Sequence, residues 1–272
     1  MYKATVIIAF YNKTNFLRLV FAGLERQTEK NFEVIIADDG SNNDSVNELN
    51  KMILESSFDV QHVWHEDLGW RKNIILNKSI LKSESDQIIF MDADCIPHKE
   101  FVAEHVKNRQ SNTILTGRRA NISEDVTLKL TPERVKRGDL ENMKLTFLYE
   151  GLTRKTRHME KAFYVKSTFL RKKIQKKNTA ILGCNFSMNK SDLLDLNGFD
   201  ERYLSPACGE DTDIDMRARF LGLNFKSVNH MAIQYHLFHK TLPRGKENLV
   251  ILEENQKNKV TFTPYGLIKT SK

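Results

Sequence analysis

A chain of 272 residues, 40% hydrophobic and 28% charged, can bury one large core or two small ones, and no apolar run approaches the roughly 20 residues that a membrane-spanning helix needs. The 42 Lys and Arg against 35 Asp and Glu leave a net charge of +7, which admits nucleic acid, an anionic membrane surface or a phosphorylated substrate as partner without choosing among them. Three cysteines, Cys95, Cys184 and Cys208, odd in number and without CxxC spacing, exclude a disulfide framework or a structural zinc site and fit the reducing cytoplasm.

The first apolar run is too short for a secretory leader, and residues 5–10 are expected to form a strand. A helix follows over 16–27, with Leu17, Val20, Phe21 and Leu24 along one face and Asn15 as its candidate cap. Residues 32–37 make a second buried strand that ends in Asp38-Asp39-Gly40-Ser41. Strand, helix and strand within about 35 residues predict a right-handed βαβ unit. A helix over 45–56, a short strand over 60–65, the polar stretch 66–73 and a helix ending near Leu81 continue the alternation.

The next strand carries the most informative residues. Ile88-Ile89-Phe90-Met91 suits a strand covered on both faces, and Asp92-Ala93-Asp94 follows at its carboxyl end, where open α/β sheets bind ligands. In extended chain, Asp92 and Asp94 point to one side and Ala93 to the other. Two hard oxygen donors facing one way suit a divalent cation shared with phosphates.

Beyond it, a helix is expected over 97–108 and a strand over 113–118. The pattern blurs between 122 and 178, and residues 154–177 hold ten Lys/Arg against the single acid Glu160, interleaved with Phe163, Tyr164, Phe169 and Leu170. Such a segment is a solvated face, a dock for anionic lipid headgroups or a trap for a phosphate-bearing acceptor. No nucleic-acid-binding motif surrounds it, so no nucleic-acid partner is expected. Order returns with a strand-like run over 180–188 and a short helix over 190–196, stopped by Asn197-Gly198. Gly209-Glu210-Asp211-Thr212-Asp213-Ile214-Asp215 then opens a helix that Gly222 ends, with Ile214, Ala218 and Leu221 as its buried stripe. The helix dipole favours acids in a first turn, yet four within six positions exceed what capping requires. Finally, residues 232–239 form a strand closing on His236 and His239.

Taken in order, Val6-Ile7-Ile8-Ala9-Phe10-Tyr11-Asn12, Asp38-Asp39-Gly40-Ser41, Asp92-Ala93-Asp94, Gly183-Cys184-Asn185, Asn197-Gly198-Phe199-Asp200 and Gly209-Glu210-Asp211 resemble a family 2 glycosyltransferase of GT-A fold over roughly residues 4–240. The C-terminal half is similar to the galactosyltransferase type of chondroitin-polymerase-like and β-1,4-galactosyltransferase-like enzymes. The resemblance implies an α/β fold with a Rossmann-like, mostly parallel central sheet flanked by helices and an elaborated acceptor-binding C-terminal part. Residues 1–272 are expected to form one such domain. Within it, 1–118 would bind the nucleotide sugar, 119–240 would bind the acceptor and catalyse, and 241–272, with the basic Leu242-Pro243-Arg244-Gly245-Lys246, would be a lid or a tail.

By the same resemblance, Asp39 accepts a hydrogen bond from the uracil of a UDP-sugar, Phe10 and Tyr11 wall the base, and Asp92 holds ribose or sugar hydroxyls. Asp94 binds Mn²⁺ or Mg²⁺, with His236 or His239 completing the coordination and His236 slightly preferred. Asp211 is the general base, Glu210 its acceptor-orienting neighbour, and Arg71 and Lys72 serve the donor side. The implied reaction is an inverting transfer of a hexose or N-acetylhexosamine to a hydroxyl of a cell-surface glycan or lipid-linked saccharide. The cysteines and the lack of a spanning apolar run lead to the expectation of a cytoplasmic enzyme, and the basic segment admits peripheral contact with the inner, anionic face of the membrane. Where the galactosyltransferase type carries a Trp-rich Gly loop this chain has Tyr203-Leu204-Ser205-Pro206-Ala207-Cys208, which leaves donor sugar and acceptor open. Two alternatives stand beside this. A nucleotidyltransferase would want a glycine in Tyr11-Asn12-Lys13-Thr14-Asn15, and a basic polyanion-binding module would leave the acids at 92–94 and 210–215 without a purpose.

Overall fold

Two buried strands of seven residues set the centre of the molecule. Ala4–Phe10 (β1) and Phe32–Asp38 (β2) are buried almost throughout and pair in parallel, and Gln87–Asp92 (β4) joins β1 on its other side. With Asp59–Trp64 (β3), Thr113–Thr116 (β6), Phe186–Asn189 (β8) and Asn224–Ser227 (β9) they form a seven-stranded sheet in the order β3-β2-β1-β4-β8-β6-β9. Within it only β8 runs antiparallel to its neighbours. The computed structural model describes residues 1–153, 156, 158–177, 179–206, 209–240 and 247–269.

Alternation along the strands divides two cores. Val6, Ile8, Val34 and Ile36 face Thr14–Leu24 (α1) and Asn43–Glu55 (α2), while Ile7, Ile35 and Phe90 face Lys72–Lys82 (α3), Lys190–Asp195 (α10) and Glu210–Phe220 (α11). Asn15 does not cap α1. The helix begins at Thr14, and Asn12, in the left-handed region, instead accepts the backbone N–H of Asn42 through its side chain. Asn42 in turn caps α2 by accepting from the N–H of Ser45 at 2.9 Å.

Three expected elements break up for local reasons. The helix expected over 97–108 is preceded by a short strand, Cys95–Pro97 (β5), and starts only at Phe101–Asn108 (α4). The strand expected over 113–118 divides at Gly117 into β6 and Arg119–Asn121 (β7). Gly117 N–H bonds Asn185 O, and a Cβ there would stand 2.3 Å from the Asn185 amide, so the chain turns at that point into a second sheet. The strand expected over 180–188 keeps only its end, because the N–H groups of Ile181, Gly183 and Asn185 bond Asp215, Asp211 and Leu182 O. The blurred region forms Glu124–Leu128 (α5), Pro132–Arg137 (α6), Asp139–Asn142 (α7), Lys144–Leu152 (α8), a 3₁₀ turn over Met159–Ala162 and Thr168–Gln175 (α9).

The strand expected over 232–239 shortens to Gln234–His236 (β10), which lies between β5 and β7 in a three-stranded sheet. Leu221 is not part of the buried stripe of α11; it is partly exposed, and Arg217 and Asp213 join Ile214 and Ala218 inside. Glu247–Lys257 (α12) packs on α11, and the chain then returns to Asn197, whose backbone and side chain bond Thr263, Leu267 and Ile268. Leu242-Pro243-Arg244-Gly245-Lys246, the expected lid, lies outside the described residues. Among the described residues no helix is long and apolar enough to cross a membrane.

Candidate active site

The parallel strands β1, β2 and β4 end side by side, and their carboxyl ends open into a cleft of about 200 Å³. Its lining includes Phe10, Tyr11, Lys13, Asp39, Trp70, Lys72, Asp92, Asp94 and His239. A larger depression of about 580 Å³ lies between the 202–206 turn and α12; among the described residues its charged lining is Arg202 and Glu247. The smaller cleft is the candidate site, because titratable groups converge there.

Asp39 sits at the inner wall. Its Oδ1 meets His65 Nε2 at 2.7 Å and its Oδ2 accepts the Arg71 N–H at 3.0 Å, while burial raises its pKa. The loop bearing Arg71 can close on this turn because Gly40, at φ 92°, has no Cβ to strike the Asp67 backbone 2.6 Å away. Arg71 thus reaches the site through its main chain; its guanidinium bonds the Glu66 carbonyl. Phe10 contributes its carbonyl to Asp39 N–H, and the half-exposed Tyr11 donates its hydroxyl to Asp67.

Asp92 and Asp94 both line the cleft, although the chain turns after Asp92 and Ala93 lines it too, so the extended alternation expected of the three residues does not hold. Asp92 pairs with Lys72 at 2.9 Å. Lys72 has a raised pKa: burial works against its charge, but Asp92, Glu210 and Asp211 outweigh burial.

The small sheet places the histidines. Antiparallel pairing sets His236 opposite Cys95, and Leu237 N–H bonds Asp94 O at 2.9 Å, so the chain leaving β10 passes directly over Asp94. His239 Nε2 lies 3.0 Å and His236 Nε2 3.7 Å from Asp94 Oδ2. Burial raises the Asp94 pKa, but the His239 hydrogen bond and the His236, His239 and Arg119 charges prevail and hold it well below the usual carboxylate range. Burial pushes His236 down to about 4, whereas the hydrogen bond to Asp94 raises His239. The ligand atoms of Asp94, His236 and His239 all lie within 4.8 Å of one another. One carboxylate and two imidazoles could hold a divalent cation, and the nitrogen donors favour Mn²⁺ over the oxygen-seeking Mg²⁺.

Across Lys72 stand the acids of α11. Gly209, left-handed at φ 94°, turns the chain into the helix. Asp211 Oδ2 accepts Gly183 N–H at 3.2 Å, and Glu210 has its pKa raised by burial, opposed by Lys72 and reinforced by Asp211. The other two acids are engaged elsewhere: Asp213 pairs with the fully buried Arg217 at 2.7 Å, and Asp215 with Arg219 at 2.6 Å.

Sequence reasoning missed His65, Trp70, Lys13 and Arg119. Arg119, on β7, has a raised pKa against the burial that opposes it, with Cys184, Cys95, Asp92 and Asp94 around it. Its place at the end of an expected strand was the only available signal.

The family profile described as glycosyl transferase family 2 matches residues 5–195, and that described as the N-terminal domain of galactosyltransferase matches residues 164–240. Chondroitin synthase of Escherichia coli is 24% identical over 250 residues, 90% of this chain but 35% of that protein, so the chain spans about a third of this relative. An uncharacterized glycosyltransferase of Bacillus subtilis, YfnE, is 25% identical over 82% of this chain and 62% of its own length. Among solved structures, TarS of S. aureus, residues 1–349 in complex with UDP, superposes with a TM-score of 0.57 at 15% identity, covering 93% of this chain and 63% of that one. The mannosyltransferase PcManGT of Pyrobaculum calidifontis, in complex with GDP-Man and Mn²⁺, gives 0.57 at 14% identity, covering 94% and 61%.

Proposed function

The chain belongs to glycosyl transferase family 2 and is a glycosyltransferase of GT-A fold, and from that premise we propose that it is an inverting, divalent-metal-dependent enzyme moving a hexose or N-acetylhexosamine from a UDP-sugar to a hydroxyl of a glycan or lipid-linked saccharide. Family membership sets aside the nucleotidyltransferase and the non-catalytic polyanion-binding alternatives. A nucleotide-sugar donor is supported by neighbours whose structures hold UDP and GDP-Man. The observation that carries the proposal is the convergence of Asp39, Asp92 and the Asp94–His236–His239 group at the ends of parallel strands, with Asp211 on the other side of Lys72.

In this reading Asp39, held by His65 and the Arg71 N–H, accepts the N3–H of the uracil, with Phe10 and Tyr11 beside the base. Asp94, His236 and His239 would hold Mn²⁺ or Mg²⁺, which supplies Lewis-acid neutralisation of the departing diphosphate. Asp92, oriented by Lys72, meets ribose or sugar hydroxyls. Asp211 keeps Oδ2 on Gly183 N–H and offers Oδ1 to the acceptor hydroxyl. As that oxygen bonds to the anomeric carbon, its proton passes to Asp211, and the bond to the diphosphate breaks with its electron pair leaving on UDP. Attack from the face opposite the leaving group inverts the anomeric centre.

The test is UDP release from a panel of UDP-hexoses and UDP-N-acetylhexosamines with Mn²⁺ present, using saccharide acceptors. Release from one or more UDP-sugars, and little from GDP-sugars, is the expected outcome; turnover restricted to GDP-sugars would overturn the uracil assignment.

A further inference from the structure

Helix α8 is built inside out. Leu145, Leu148, Tyr149 and Leu152 recur at the spacing of one helical face, yet they are 83%, 51%, 65% and 76% exposed. The opposite face buries Phe147 against Tyr235 and, beside it, the carboxylate Glu150, which accepts the Ser123 hydroxyl at 2.6 Å. The helix is thus fixed to the protein by an aromatic ring and an acid, while four large apolar side chains face outward. Four large apolar side chains on one helix face form a contiguous patch, and such patches on soluble proteins mark contact surfaces.

The charge of the segment that carries and follows this ridge identifies the surface it fits. Residues 144–177 carry eleven Lys/Arg against two acids, Glu150 and Glu160, a net of +9 in a chain whose total is +7, so the rest of the protein is net acidic. Further along, α9 is held down by Arg171, bidentate on Glu104 at 2.7 and 3.0 Å, and buries none of its residues fully. Its outer face presents Phe169, with Lys173 over the ring at 4.6 Å, together with Lys172 and Lys176. Apolar and aromatic side chains bordered by lysines suit the boundary between acyl chains and anionic headgroups.

We propose that the outward face of α8, together with the exposed lysines of α9, docks this enzyme on an anionic lipid bilayer. A second copy of the chain would bring two segments of like charge together, and an anionic glycan would have no use for four apolar side chains. The inference is independent of the donor and acceptor assignments.

Co-sedimentation with phosphatidylcholine vesicles, with and without phosphatidylglycerol, tests it. The chain is expected to bind only the anionic vesicles, and more weakly as salt rises. Leu145→Ser/Leu148→Ser/Leu152→Ser, on solvent-facing positions, should lower the partition coefficient at least about tenfold. Lys172→Gln/Lys173→Gln/Lys176→Gln should lower it about a hundredfold. Unchanged circular-dichroism melting of each variant separates lost docking from lost folding. Absence of binding to anionic vesicles, or wild-type binding by the folded leucine variant, would overturn the proposal. So would a leucine-dependent dimer by light scattering, or equal, leucine-insensitive binding to a soluble polyanion such as heparin.

Discussion

The carboxylates at the end of β4 and those at the start of α11 are both dense acidic clusters, and they distribute their charge differently. Asp92 and Asp94 both face the cleft, each against a basic group supplied from elsewhere in the chain, Lys72 or the two histidines. On α11 only Glu210 and Asp211 act on the cleft's Lys72. Asp213 turns inward to Arg217, Tyr203 and Asn255, and Asp215 spends both oxygens on Arg219 and Ile181 N–H. Asp211 gives one oxygen to the same turn, through Gly183, and among the described residues its other oxygen has no hydrogen-bond donor. A carboxylate's role follows from the partners left to it, so a count of acids overstates the chemistry of a helix start.

The most severe way to break this comparison is to exchange the acids' roles. Asp211→Asn is expected to lower transfer about 10²–10⁴-fold with UDP binding preserved by calorimetry. Asp215→Asn should mainly lower stability, and a comparable rate loss there would erase the distinction. Next, Asp213→Ala leaves the Arg217 charge buried and unpaired and should destabilise by about 3–5 kcal/mol in denaturant titration, a cost only an inward-facing acid can have.

A smaller effect tests the other side of the turn that α11 holds. His105 is fully buried; its Nε2 donates to Asn185 Oδ1 at 3.2 Å, its Nδ1 accepts the Ser187 hydroxyl at 2.9 Å, and burial pushes its pKa down to about 4. The Asn185 amide, donating to the carbonyls of Arg118 and Ala232, fixes that tautomer. Because the folded form stays neutral while the unfolded chain takes a proton near pH 6.5, stability should fall as pH drops from about 6.5 to 4, by up to about 3 kcal/mol, and stay level in this term above 6.5. Denaturant titrations at pH 7 and 5 would check this, with His105→Gln flattening the dependence. Smallest, Asn42→Ala removes the cap on α2 and should cost about 1 kcal/mol without touching transfer.

The N-terminal part was largely legible because its strands are mostly apolar runs whose ends coincide with acids: Asp38, Asp39 and Asp92 lie within one or two residues of where the pattern placed the strand ends. The small sheet was not legible. Strands of three residues such as Cys95–Pro97 and Gln234–His236 carry no readable period, yet they bring His236 and His239 to Asp94. On α11 a signal existed. Asp213 with Arg217 and Asp215 with Arg219 are spaced i,i+4, and that spacing alone marks them as partners on one helix face. His65, the buried partner of Asp39, had no signal, because its role depends on a loop folding back over Gly40.

Asp94, His236 and His239 are proposed to hold a cation for a nucleotide diphosphate bound at the strand ends. Calorimetric titration of UDP, with Mn²⁺ and again with a chelator, for the wild type and Asp94→Ala, tests this directly. Binding with Mn²⁺ that disappears with chelator and in the variant is the predicted result; UDP binding of equal affinity in all four titrations would contradict it.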